Sequence, residues 1–181
     1  MSNSLIKLID YSLLPAALLL LGKIAGIYLV AAVFGITIGV QHFPEAIFSL
    51  HPVVPFEDLQ TLSSYSDLIM FAIIAAGFSF VLVNAVFFHD SHIKVSTVNS
   101  LAKYNLLFLI SSSFQLYHSG VIWFMFTWLA NVAVLINMLA GKTYSWVVVL
   151  TTLFAIGLSV ILFRDLSAEL RLTRDKLLNA K

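Results

Sequence analysis

The chain has no cysteine, and only 10% of its 181 residues carry charge. The missing cysteines exclude disulfides, thiolate nucleophiles, Cys-ligated zinc and iron–sulfur clusters. The missing charge excludes an ordinary soluble domain, in which about a quarter of residues are charged. Apolar residues fill the gap, at 60% of the chain. One domain of this size cannot bury that much apolar surface in a water-soluble core. Lipid as solvent removes the difficulty. The sequence also lacks the basic, aromatic-interleaved pattern of nucleic-acid binders, so no nucleic-acid partner is expected. It contains no P-loop, dinucleotide fingerprint, HExxH motif or nucleophile elbow. No catalytic residue and no cofactor are therefore assigned.

What is present reads as an all-α integral membrane protein. A helix needs about 20 mostly apolar residues to cross the hydrocarbon core. Residues 68–88 hold only Gly77, Ser79 and Asn84 as interruptions. Residues 121–140 hold Thr127, Asn131 and Asn137, and 144–163 hold only small polar residues and Gly157. None of these stretches contains an acid or a base, so ionisable groups are expected outside the bundle. The first span is less regular. It is expected over about 21–40, with Lys23 one turn inside and reaching back to the headgroups. The break at Lys23 in the first apolar run resembles an uncleaved signal anchor. The four spans are thus placed at about 21–40, 67–88, 121–140 and 144–163, within a transmembrane domain 1–163 followed by a helical tail 164–181.

Two apolar stretches, 5–21 and 101–117, remain. They are expected to be interfacial or re-entrant helices before the first and third spans, with Gly120 as the break after the second. Charge sets the count. With four spans and a cytoplasmic N-terminus, nine of the ten basic residues fall on one side and only Lys142 on the other. A fifth span would divide them equally. The positive-inside rule prefers four, with both termini cytoplasmic in a cell membrane. Tyr65, Tyr144 and Trp146 then belong near the outer interface. The matching starts Asn3-Ser4-Leu5-Ile6-Lys7 and Asn99-Ser100-Leu101-Ala102-Lys103 hint at a parallel duplication.

The connection 41–66 has no Lys or Arg and holds Pro44, Pro52 and Pro55 with His42, His51, Glu45, Glu57 and Asp58. Pro44 before Glu45, and Pro55 before Glu57 and Asp58, predict two short helical starts. The tail carries Phe163, Leu166, Leu170, Thr173 and Leu177 at spacings of three and four. It reads as an extension of the fourth helix with bases suited to anionic headgroups.

Few residues could carry chemistry. His89 and His92 share a helix face, and the four-span topology returns His118 to the same side. Three imidazoles there form a metal-site hypothesis, since a stable site needs three or four ligands. Asn84, Thr127, Asn131, Asn137, Thr151, Thr152 and Ser159 are polar groups within spans and are expected to hydrogen-bond across helices. Gly22–Gly26 and Gly35–Gly39 are GxxxG pairs on nearly opposite faces of the first helix, suited to close packing.

Three function classes follow. The leading one is a non-enzymatic scaffold or accessory subunit, whose partners are the bilayer and either a second copy or another membrane component. The second is an interfacial metal- or haem-binding protein or enzyme using His89, His92 and His118. The third is a small transporter or channel for a neutral or lipid-like solute. All share one topology. Because the chain is cysteine-free, the variants Ser2→Cys and Lys181→Cys should react with a membrane-impermeant maleimide from one side of sealed vesicles. Lys142→Cys should react only from the other.

Overall fold

Within hydrocarbon a backbone N–H finds no water, so an apolar segment closes its own hydrogen bonds as a helix. The computed structural model describes residues 3–42, 50–87, 93, 95–106 and 113–179. Their order is α1 (Asn3–Phe34), β1 (Gly39–His42), β2 (Leu50–Val53), α2 (Phe56–Phe87), α3 (Val95–Lys103), α4 (Ser113–Leu139) and α5 (Ser145–Asn179). Four helices contain stretches long and apolar enough to cross a membrane: Tyr11–Phe34, Glu57–Phe87, Leu116–Leu139 and Ser145–Leu172. The chain is a multi-pass membrane protein. Its four long helices alternate in direction. One end of the bundle carries the β1–β2 hairpin and the α4–α5 turn, and is called the turn end below. The other carries the start of α1, the later part of α5 and α3, and is called the tail end.

Burial follows the lipid rule. Leu13, Leu20, Tyr28, Val33, Met125, Leu139 and Phe154 are exposed, while Thr127, Asn131, Thr151 and Asp67 are buried. Phe78, Ile74, Trp123, Leu82 and Leu162 form one apolar centre between α2, α4 and α5. Met70, Phe71, Ala130, Val134, Val147 and Ala155 form another nearer the turn end. Val30, Ala31, Ile36 and Leu62 join α1 to α2.

Several expectations are corrected. Residues 5–21 are not a separate interfacial helix, because α1 runs without interruption through them and through Pro15. Breaking a helix in lipid would expose a turn of backbone donors and acceptors, whereas Pro15 removes one N–H. At 1.5 Å per residue α1 is about 48 Å long, more than the core thickness of about 30 Å. The segment 101–117 is not one element either. Its start ends α3, its last residues belong to α4, and 107–112 lie outside the described residues. Gly120 lies inside the continuous helix α4. The stop falls earlier, at Asn105, whose φ is 57°. There Leu106 N–H bonds Leu101 C=O at 2.8 Å and Asn105 N–H bonds Ala102 C=O at 3.1 Å, the pairing of a left-handed C-terminal cap.

The two glycine pairs separate. Gly22 and Gly26 line the contact of α1 with α2, where a Cβ would stand 3.4 Å from Met70 Cα and 3.0 Å from Ser66 Cα respectively. Gly35 and Gly39 do not form a helical pair. Gly35 takes φ 66° and caps α1, and Gly39 begins β1. The connection after α1 is an antiparallel hairpin pairing Gly39 with Val53 and Gln41 with His51, not a pair of helical turns. Pro55 does precede a helix start. Asp58 and Leu59 both donate to its carbonyl. Pro44 and Glu45 lie outside the described residues. The matching starts do not occupy matching places among the described residues: residues 3–7 open a helix of 32 residues, and 99–103 close one of 9.

The indole of Trp123 covers Gly77 so closely that a methyl group has no room, while Gly157 faces open space. Gly77→Ala should destabilise the bundle by about 1–3 kcal/mol, the usual cost of overpacking. Gly157→Ala should be neutral or slightly stabilising, by up to about 1 kcal/mol. Thermal unfolding of both variants in one detergent checks the contrast.

Candidate functional site

A lysine in an apolar helix must reach water or find an anion. Lys23 lies midway along the candidate span Tyr11–Phe34. Its amine does not return toward the tail end as expected. It turns to the outer third of α2, nearer the turn end. Nζ donates to Asp67 Oδ1 at 2.5 Å, to Ser66 Oγ at 2.7 Å and to the Ser63 carbonyl at 3.5 Å. The Asp67 side chain is 1% exposed and that of Lys23 is 27% exposed. An acid therefore does lie inside the bundle, contrary to the expectation drawn from the apolar stretches.

Burying a carboxylate is costly unless it is paired and its remaining lone pairs are satisfied. Asp67 meets both conditions. Asn137 Nδ2 donates to its two oxygens at 3.1 and 2.9 Å, and Thr143 Oγ1 donates to Oδ2 at 2.7 Å. The donors come from α1, from the end of α4 and from the α4–α5 turn. Each is positioned by local backbone chemistry. Gly141, with φ 72°, stops α4. Lys142 N–H then closes on the Asn137 carbonyl at 2.9 Å, which leaves Thr143 over the bundle. The hydroxyl hydrogen of Thr143 goes to Asp67, so Ser63 is the donor in the 3.3 Å contact between Ser63 and Thr143. Tyr144 N–H donates to Ser64 Oγ at 2.8 Å, and Tyr144 Oη meets Thr61 at 3.3 Å. Tyr65 stacks edge-on to Trp146 at 6.1 Å, so the aromatic residues expected together sit together at the turn end.

The other polar residues lie apart from this cluster. Thr151 donates to Asn131 Oδ1 at 2.8 Å, and Asn131 Nδ2 donates to Thr152 at 3.2 Å, joining α4 to α5. Trp128 Nε1 donates to Ser159 at 3.1 Å. Thr127 instead bonds the Trp123 carbonyl of its own helix at 2.8 Å. Asn84 is half-buried further toward the tail end. His118 stands in α4 with its ring 5.7 Å from that of Tyr11, and Tyr117 Oη donates to Asp165 at 3.1 Å. His89 and His92 lie outside the described residues, and no group of three metal-binding side chains occurs among the described ones.

A groove of about 350 Å³ runs between α2 and α5, bordered by Leu68, Ala72, Ala76, Ser79 and Thr151. It is apolar and faces outward. Of the polar span residues expected to hydrogen-bond across helices, only Thr151 borders it. Asn131 and Asn137 are engaged elsewhere in the bundle.

The ion pair had a signal in the sequence. An isolated lysine in a span calls for an acid, and Asp67 is the acid immediately before the cleanest apolar stretch. Comparison with family models, with curated proteins and with solved structures finds no match.

Removing Lys23 leaves an anion with 1% exposure and no counter-charge. Lys23→Met should cost about 3 kcal/mol of stability. Adding Asp67→Asn should recover at least half of that loss, because the amide oxygen still accepts from Thr143. Unfolding of both single variants and the double variant forms the cycle that measures the coupling. Equal, additive losses would show that the pair is not coupled.

Proposed function

We propose that this multi-pass protein is a non-enzymatic membrane component, a scaffold or accessory subunit that acts through lateral association. One observation carries the reading: among the described residues, the cluster around Asp67 is closed on itself. The Asp67 carboxylate receives four donor contacts from Lys23, Asn137 and Thr143, and Lys23 divides its remaining donors between Ser63 and Ser66. Such a cluster holds helices in register and offers no unoccupied group to a substrate. Both termini face the cytoplasm on this reading. Lys7, Lys103, Arg164, Arg171, Arg174 and Lys176 belong to tail-end segments, and Lys142 to the turn end. Lys23, turned to Asp67, leaves that asymmetry intact.

A second reading has its own support. A carboxylate and an amine inside a membrane bundle are the parts from which ion- or proton-coupled carriers are built. Lys23, 27% exposed, is the less buried half of the pair.

One pair of measurements separates the two. Cross-linking in native membranes followed by native mass spectrometry should give a stable homo-oligomer or a complex of fixed stoichiometry. Reconstituted vesicles should show no ion or solute flux above that of empty vesicles. A solitary monomer under both conditions, or flux abolished by Asp67→Asn, overturns the scaffold reading, and the flux result establishes the carrier.

A further inference from the structure

The α5 helix sorts its charges by face as it leaves the apolar stretch at Phe163. Asp165 is half-buried against α4, where Tyr117 donates to it. Glu169, one turn on, is half-buried as well. Arg164 and Arg171 are exposed, and no ion pair joins either to a described residue. Seven residues apart, they lie two turns from each other on one face, about 10 Å along the axis. Together with Ser167 and Leu172 they border a shallow groove of about 460 Å³. Asp175 also borders it, but Arg174 Nε lies 3.5 Å from its carboxylate. The face is therefore positive, and one turn before Arg164 it adjoins the exposed side chains of Val160 and Ile161.

We propose that the Arg164–Arg171 face of α5 binds the phosphate of an anionic phospholipid headgroup, while the acyl chains lie against Val160 and Ile161. Two features support the assignment. Arginine forks onto phosphate oxygens in a way lysine does not. Arg164 also follows the last residue of the apolar stretch, so its guanidinium stands at headgroup depth. A free phosphate would meet the same arginines and would gain nothing from the adjoining apolar surface.

The protein is reconstituted into vesicles of phosphatidylcholine with an equimolar share of phosphatidylglycerol. It is then extracted gently, and retained lipid is read by native mass spectrometry. Wild type should retain phosphatidylglycerol over phosphatidylcholine. The preference should fall about fivefold with Arg164→Gln or Arg171→Gln alone, and further with both. Lys142→Gln, at the opposite end, should leave it unchanged. Both arginines are exposed, so the variants keep the fold, and circular dichroism confirms this before lipid is counted. Equal retention of the two lipids, or a preference that survives the double variant, overturns the proposal. So does loss of bound phosphatidylglycerol on adding inorganic phosphate at constant ionic strength, which would assign the site to a soluble anion.

Discussion

A single buried anion organises the turn end. The Asp67 carboxylate can stay charged beside lipid only if its counter-ion and its hydrogen-bond donors arrive together. Those donors belong to three separate pieces of chain: Lys23 on α1, Asn137 near the end of α4, and Thr143 in the turn before α5. Helix register, helix length and the cap at Gly141 are all constrained by that convergence. A shift of α1 by one turn along α2 would carry Lys23 past Asp67 and would also move Gly26 from the place beside Ser66 where a Cβ would have no room.

The remainder of the bundle relies on weaker and more numerous forces. Lipid tails are as apolar as leucine, so no hydrophobic force drives these helices together. Close packing and interhelical hydrogen bonds do that instead. Trp123 over Gly77 and the Asn131–Thr151–Thr152 group join α4 to α2 and to α5. Near the tail end, Tyr117 on Asp165 does for α4 and α5 what the ion pair does at the turn end, without a buried counter-ion. The two ends therefore differ in character. The turn end is locked by a saturated polar cluster, and the tail end carries the outward-facing arginines of α5.

The residues that misled sequence reading show where its physics stops. Lys23 made 5–21 look separate from the first span, because a lone cation within hydrocarbon is expensive. That cost is offset by Asp67, forty-four positions away in sequence and brought beside Lys23 only by the packing of α1 on α2. Gly120 looked like a helix break by residue type. It is helical because flanking turns bury Leu116, Ile122 and Trp123 in the core. Gly35–Gly39 matched a helix-packing pattern, but Gly35 occupies the left-handed position that ends α1. The β1–β2 hairpin left no trace, since four-residue strands are too short for alternation to register.

Sequence alone determined that the chain is a membrane protein and that it has stretches for four helices long enough to cross. Each of these depends on composition summed over a stretch of chain, and solvent transfer energies add residue by residue. Tertiary structure alone decided where α1 begins, which glycines touch a neighbouring helix and which carboxylate neutralises Lys23. Those outcomes depend on distances between residues far apart in the chain. Such distances are fixed only when packing and hydrogen bonding select one register among several that hydropathy leaves equal.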